Sequence, residues 1–249
     1  ITKVFCESGQ SEVGGHALRG WPSRENFTMK TTRTFLYTVL ASAFALALIV
    51  GGAFWGRPVQ AQTTADAFTG EDIDGLLYMI EEEKLARDVY LMLDGQWDLR
   101  VFQNISRAEQ KHMDSVARVL AAHDIDNPAL DSEIGEFTNP ELQALYDDLI
   151  AAGSQSVADA LRVGTAIEEI DILDLQTYVD DTGEADIQQL YANLLKGSSN
   201  HLRAFVSNLE RQTGETVQPQ YLDTQTYDEI MNDSNTRGNR NRGANRFRQ

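Results

Sequence analysis

The chain has 249 residues, a formal net charge of −17, four histidines and a single cysteine, Cys6, with 42% hydrophobic and 24% charged side chains. That length and apolar content suffice for a full single-domain core, and the lone cysteine excludes a disulfide framework. So acidic a chain argues against nucleic acid and against anionic membrane surfaces as partners.

Residues 1–28 are Gly- and Ser-rich, mixed in charge, and fit neither a domain nor a targeting segment. They are expected to be upstream sequence ahead of the native start, a genuine N-terminal extension being the other reading. Met29 opens the short basic stretch MKTTR, followed by the apolar run Phe35–Trp55 and the small-residue site Val59-Gln60-Ala61. This layout is that of a secretory signal over residues 29–61, cleaved after Ala61, with export to the periplasm or outside the cell. An uncleaved run of about 20 apolar residues would instead act as an N-terminal membrane anchor. Residues 62–236 carry 35 acidic and 10 basic side chains, whereas Arg237–Gln249 carries five arginines and no acid. The stretch 232–249 is low in complexity and is expected to be a disordered Arg/Asn/Gly-rich tail.

Between these ends the pattern is helical almost throughout. Asp72–Asp94 forms the first helix and Phe102–His123 the second. A long connection broken by Pro128 and Gly135 follows, carrying one short helix, Asn139–Ala152, with Asn139 as N-cap and Pro140 in the first helical position. Ser156–Asp180 begins on a serine cap and stops near Gly183; Glu184–Thr213 ends at Gly214. Short outer links and one long middle link predict an all-α four-helix bundle with a single crossover connection, spanning about residues 70–222.

Each long helix places a metal-competent side chain in its most apolar strip. At about 100° per residue, Glu109 and His112 share one face of the second helix with Phe102, Ile105, Met113, Val116 and Leu120. Glu83 is centred among Leu76, Met79, Ile80, Ala86 and Tyr90 on the first, with Glu81 turned to the opposite side and Glu82 to the flank. On the third, Glu168 and Asp171 lie among Val157, Leu161, Gly164, Ile172 and Leu175, while Glu169 turns about 100° away. On the fourth, His201 lies among Ile187, Leu190, Leu194, Gly197, Ala204 and Phe205. A salt bridge or a satisfied core histidine would explain any one of these. Four carboxylates entering one core are a different matter, because Arg87 lies off the stripe and Lys111 and Arg203 face elsewhere. Two divalent cations would balance Glu83, Glu109, Glu168 and Asp171, with His112 and His201 completing the coordination; such oxygen and nitrogen donors suit iron or manganese, with zinc a third option. His123 lies about three turns beyond His112, too far along the axis to share the site, and reads as a helix-end residue.

At these residues the chain resembles the ferritin-like di-iron superfamily, its first half being similar to rubrerythrin. The stretch Glu83-Lys-Leu-Ala-Arg-Asp-Val-Tyr90 resembles a ligand Glu followed seven residues later by Tyr, and Glu109-Gln-Lys-His112 matches the second-helix E-x-x-H. Glu168 with Asp171 resembles the third-helix carboxylate pair. EEEKLARDVY, FQNISRAEQKHMDSV, IEEIDILDL and GSSNHLRAF together resemble the DUF2202 family over about Gly70–Leu222. The resemblance implies a ferritin-like fold and a dinuclear metal site, and with two irons it implies ferroxidase-like oxidation of Fe(II) or reduction of peroxide, oxygen or peroxide being the oxidant. It supplies no reaction by itself. One position departs: where the superfamily's fourth helix carries a second E-x-x-H, this chain has Ser198. Asp171 or Glu169 could replace the missing carboxylate, Asp171 being better placed; without replacement the site would be asymmetric, mononuclear or a relic. Tyr90 is either a hydrogen-bond partner that orients a ligand or an ordinary core tyrosine. No cysteine follows Cys6, so a reductive reaction would need an external electron donor. A homodimer is compatible with the chain. The competing reading is a non-enzymatic exported helical module, with its buried carboxylates protonated or paired.

Overall fold

The computed structural model of the chain describes residues 69–243, with side chains as far as residue 233. The N-terminal segment 1–28, the expected signal or anchor at 29–61 and the last residues of the tail lie outside them. Six helices and no strand occur among the described residues: α1 (Gly70–Trp97), α2 (Arg100–Ala122), α3 (Pro140–Gly153), α4 (Val157–Asp181), α5 (Ala185–Thr213) and α6 (Thr224–Gly243). No described helix is long and apolar enough to cross a membrane.

The five anticipated helices begin and end where local chemistry dictates. Thr69 caps α1 in a reciprocal box with Asp72, whose second oxygen accepts from Thr182 at the far end of α4 (2.7 Å). Asn139 caps α3 with Pro140 behind it, Ser156 caps α4, and Gly214, at φ +76°, closes α5. Helix α6 differs from expectation. Its helical backbone enters the stretch assigned to the tail, and Tyr227 packs against Ile172, Leu202, Val206 and Leu222.

Helices α1 and α2 form one hairpin and α4 and α5 another. The hairpins meet through α1 against α4 and α2 against α5, while α3 lies along α1 and α4. The apolar interior forms two main clusters, with smaller ones around Ile172 and Ala166. One cluster gathers Leu85, Val89, Tyr90, Phe102, Leu161 and Phe205; the other gathers Met79, Ile80, Met113, Val116, Leu175 and Leu194. The charged stripe residues sit between the two.

Several charges off the stripes are also buried, and each ties down a connecting segment. Glu81, turned away from the α1 stripe, accepts from the backbone N–H of Thr138 (2.6 Å) and Asn139 (3.1 Å) and from the Thr138 hydroxyl, fixing the entry to α3. The Lys84 ammonium pairs with Asp88 (2.6 Å), donates to the carbonyls of Glu133 and Glu136, and lies over the Phe137 ring. Asp88 also accepts from Arg87 and from the backbone N–H of Gly135, which has φ +81° and no room for a Cβ beside Tyr146. Glu169 accepts three successive backbone N–H groups, from Gln220, Tyr221 and Leu222, at 2.7–3.0 Å. That carboxylate clamps the arm leading from α5 to α6.

Removing it strands three amides in a largely buried setting. Glu169→Ala should lower the unfolding free energy by about 2–4 kcal/mol and speed hydrogen exchange at residues 220–222. Unchanged exchange there would show that the arm is held by other contacts.

Candidate metal centre

Glu83 from α1, Glu109 and His112 from α2, Glu168 from α4 and His201 from α5 meet in the polar layer between the two apolar clusters. The three carboxylates are each 2% exposed. Glu109 is the hub: its Oε2 lies 2.8 Å from His112 Nδ1, and its Oε1 lies 2.8 Å from His201 Nδ1. His112 Nδ1 also lies 3.1 Å from Glu83 Oε2, and His201 Nδ1 lies 3.5 Å from Glu168 Oε2. The two imidazoles stack with ring centroids 5.2 Å apart. Glu109, His112 and His201 each present a donor atom within 4.8 Å of the others and could hold a metal ion. Asp171, also buried, stands close enough to Glu83 and Glu168 to feel both charges, and next to Ser198. Ser198 bonds the Leu194 carbonyl (3.0 Å), so the position where a carboxylate was expected is a small residue beside a carboxylate from α4.

The neighbours hold this geometry. The Tyr90 hydroxyl donates to Glu168 Oε1 at 2.6 Å, and its ring packs 5.0 Å from Phe205 and 5.9 Å from Phe102. Tyr90 is thus both a core tyrosine and a partner of Glu168. Gly197 on α5 gives the His112 ring its place, since a Cβ there would overlap the imidazole Nε2. His123 stands at the end of α2 and reaches Asp186 (3.1 Å), apart from the cluster.

The cluster is not closed by its own hydrogen bonds. Glu83 Oε1, Glu109 Oε1, Asp171 Oδ1 and His201 Nδ1 are buried and make none, although His201 Nδ1 is at contact distance from Glu109. Charge shows the same shortfall. Burial, helped by the Glu109 charge, pushes Glu83 and Glu168 up, and despite the nearby imidazoles each stands at about 7. Burial and the Glu83 and Glu168 charges hold Asp171 well above the carboxylate range. Glu109 goes the other way: burial opposes its charge, but His201 and His112 outweigh that and hold it at about 2. Burial would discharge the imidazoles, yet Glu83 and Glu109 raise His112 to about 12, and Glu168 and Glu109 raise His201 to about 10.

Projection along single helices brought these residues to notice but passed over Glu82 and Asp174. Glu82 is 5% exposed, and Glu82 and Asp174 lie within hydrogen-bonding reach of each other, one turn from Asp171. The signal is the i, i+3 spacing of Asp171 and Asp174, which makes them neighbours on the surface of α4.

Residues 72–234 match the family described as an uncharacterized protein domain, DUF2202. The chain is similar to an uncharacterized protein of Methanocaldococcus jannaschii, MJ0754: 46% identical over 168 residues, covering 68% of this chain and 90% of that protein. The crystal structure of that hypothetical protein matches with a TM-score of 0.64 and 42% identity, over 72% of this chain and 97% of the other.

The proton balance has a direct consequence for the metal-free chain. Glu83 and Glu168 bind protons more tightly when folded, so their contribution is full below about 4.5 and is lost as pH rises through about 7. The imidazoles contribute fully below about 6.5 and lose their share as pH rises through 10 to 12. Glu109 runs oppositely, contributing above about 4.5 and losing its share as pH falls towards 2. Urea denaturation of the metal-free protein should give maximal stability near pH ~4.5 and a decline from there towards pH ~10. A flat profile across that range would contradict the charge arrangement.

Proposed function

The chain belongs to the DUF2202 family, and from that premise and the buried Glu/His cluster we propose that it is an exported, ferritin-like metalloprotein with a dinuclear site that oxidises Fe(II) or reduces peroxide. The observation that carries the reading is the set of buried carboxylate oxygens without hydrogen bonds, on Glu83, Glu109 and Asp171, beside the Glu109–His112–His201 group. The donor set fits the group. Glu109 offers one oxygen towards each imidazole, His112 and His201 would each hold one metal, and Glu83 and Glu168 flank them from opposite helices. Asp171 beside Ser198 supplies the carboxylate that α5 lacks. Oxygen-rich donors with two imidazoles suit iron or manganese better than a thiolate-seeking metal.

Bound iron would supply one electron per Fe(II) to an oxidant, so two together match the two-electron reduction of peroxide to water. The chain's own groups do the rest. His112 and His201, imidazolium in the metal-free protein, give up their protons as they become ligands. Tyr90 fixes the rotamer of Glu168 through its hydroxyl. Tyr90, Phe102 and Phe205 close one side of the polar layer and exclude bulk water from it. With no cysteine after Cys6, peroxide reduction would draw electrons from an external donor, which favours iron oxidation or sequestration. One observation supports a non-enzymatic module: the imidazole–carboxylate contacts of 2.8–3.1 Å are ion pairs already. Two imidazolium charges, however, do not balance four ionised carboxylates, so without a cation the raised Glu83, Glu168 and Asp171 carboxyls keep protons.

Anaerobic loading with Fe(II), followed by elemental analysis and exposure to oxygen, separates the readings. The proposal expects about two equivalents of iron and an oxygen-dependent rise in ferric absorbance, both lost in Glu109→Ala and retained in Lys111→Ala. Tyr90→Phe should keep the fold while weakening metal binding about tenfold. No retained iron, manganese or zinc would leave the helical module as the function.

A further inference from the structure

Helix α5 carries Gly197 in its interior, where alanine would cost the backbone less conformational freedom. No turn or cap calls for glycine there, and the described glycines with positive φ are Gly135 and Gly214. The neighbour that calls for it is His112, reaching across from α2. A Cβ on Gly197 would overlap the imidazole at Nε2 and Cε1, and the three atoms it would meet first all belong to that ring. The next residue of α5 is small as well: Ser198 is 1% exposed and turns its hydroxyl back to the Leu194 carbonyl (3.0 Å).

The ring cannot retreat without changing what it holds. Imidazole is planar and rigid, so Cε1, bonded to both nitrogens, clears a Cβ only if Nδ1 moves with it. Nδ1 is the atom that lies 2.8 Å from Glu109 Oε2 and 3.1 Å from Glu83 Oε2. The same ring stacks on His201, with centroids 5.2 Å apart.

We propose that Gly197 is the positioning residue for the His112 half of the metal centre: the missing side chain on α5, rather than a hydrogen bond, sets where Nδ1 points. The proposal rests on the dinuclear reading above and adds that its two halves are aimed separately. On the other half a hydrogen bond does the work, the Tyr90 hydroxyl holding Glu168 at 2.6 Å. A side chain at position 197 therefore weakens one metal and spares the other. On helix propensity alone the same change is neutral or stabilising, so a loss of metal is not a loss of helix.

The test titrates the full chain with Mn(II) alone, reading free Mn(II) by electron paramagnetic resonance and the imidazoles by histidine ring-nitrogen NMR spectra. Gly197→Ala, its helicity checked by circular dichroism, should weaken one of about two equivalents by roughly tenfold or more and leave the other unchanged. In the metal-free chain it should move the His112 ring-nitrogen signals. Gly95→Ala, at a helical glycine with open space around it, should change neither reading. Once His112→Ala has removed the imidazole, adding Gly197→Ala should have no further effect on binding. If Gly197→Ala alone loses helicity, the double variant should recover it; failure to recover would overturn the proposal. Equal Mn(II) binding in a helical Gly197→Ala chain and in wild type would overturn the positioning role and leave the dinuclear reading standing. Additive losses in the double variant would overturn it too, since Gly197 would then act on the fold and not on the ring. Wild type that binds no Mn(II) would instead sink the dinuclear reading, and unmoved His112 nitrogens would then overturn the placement of the ring by Gly197 as well.

Discussion

Six carboxyl groups, from Glu82, Glu83, Glu109, Glu168, Asp171 and Asp174, share one interior with two imidazoles. An unbalanced ion removed from water costs several kcal/mol, and a whole domain is stable by only about 5–15 kcal/mol. The fold therefore exists only if most of those charges are cancelled by protons or by cations. Everything else about the interior accommodates this polar layer. The hydrophobic core is split into two clusters around it, Gly197 yields space to His112, and Tyr90 spends its hydroxyl on Glu168 rather than on backbone.

The same helices that carry the layer also hold the connecting segments, and by the same means. Lys84, Asp88 and Glu81 grip the crossover before α3, and Glu169 grips the arm before α6. Every one of these is a charged group on α1 or α4 satisfied by backbone donors or acceptors or by an opposite charge. They are the counterpart of the cluster: beside Glu83 and Glu168, Lys84 and Glu169 each meet several backbone or charged partners. In the cluster itself, Glu83 Oε1 and Asp171 Oδ1 are buried without a hydrogen bond.

Much of this was legible in the sequence. The caps at Asn139, Ser156 and Gly214 set the helix ends, and the apolar stripes brought Glu83, Glu109, His112, Glu168 and His201 to one depth. Projection works on α2 because that helix has one buried face and one wet face. It works less well on α1 and α4, which are covered on several sides by α2, α3, α5 and the loops. There Glu81 and Glu169, off the stripe, are as buried as the residues on it, and a helical wheel cannot say which segment arrives to meet them. Glu82 projects to the flank of α1, and that flank is where α4 packs, so its proximity to Asp174 follows only from the fold. The helix α6 depends on Tyr227 reaching Ile172 and Leu202, a tertiary contact with no local signature.

The central claim is that a cation, not a set of shared protons, completes the interior. Anomalous diffraction from crystals grown with Mn(II) tests it most directly. The account predicts a metal peak between Glu109, His112 and His201, with Glu83 or Glu168 within coordination distance. Density showing the two imidazoles closed on Glu109 with no anomalous peak at saturating Mn(II) would contradict it.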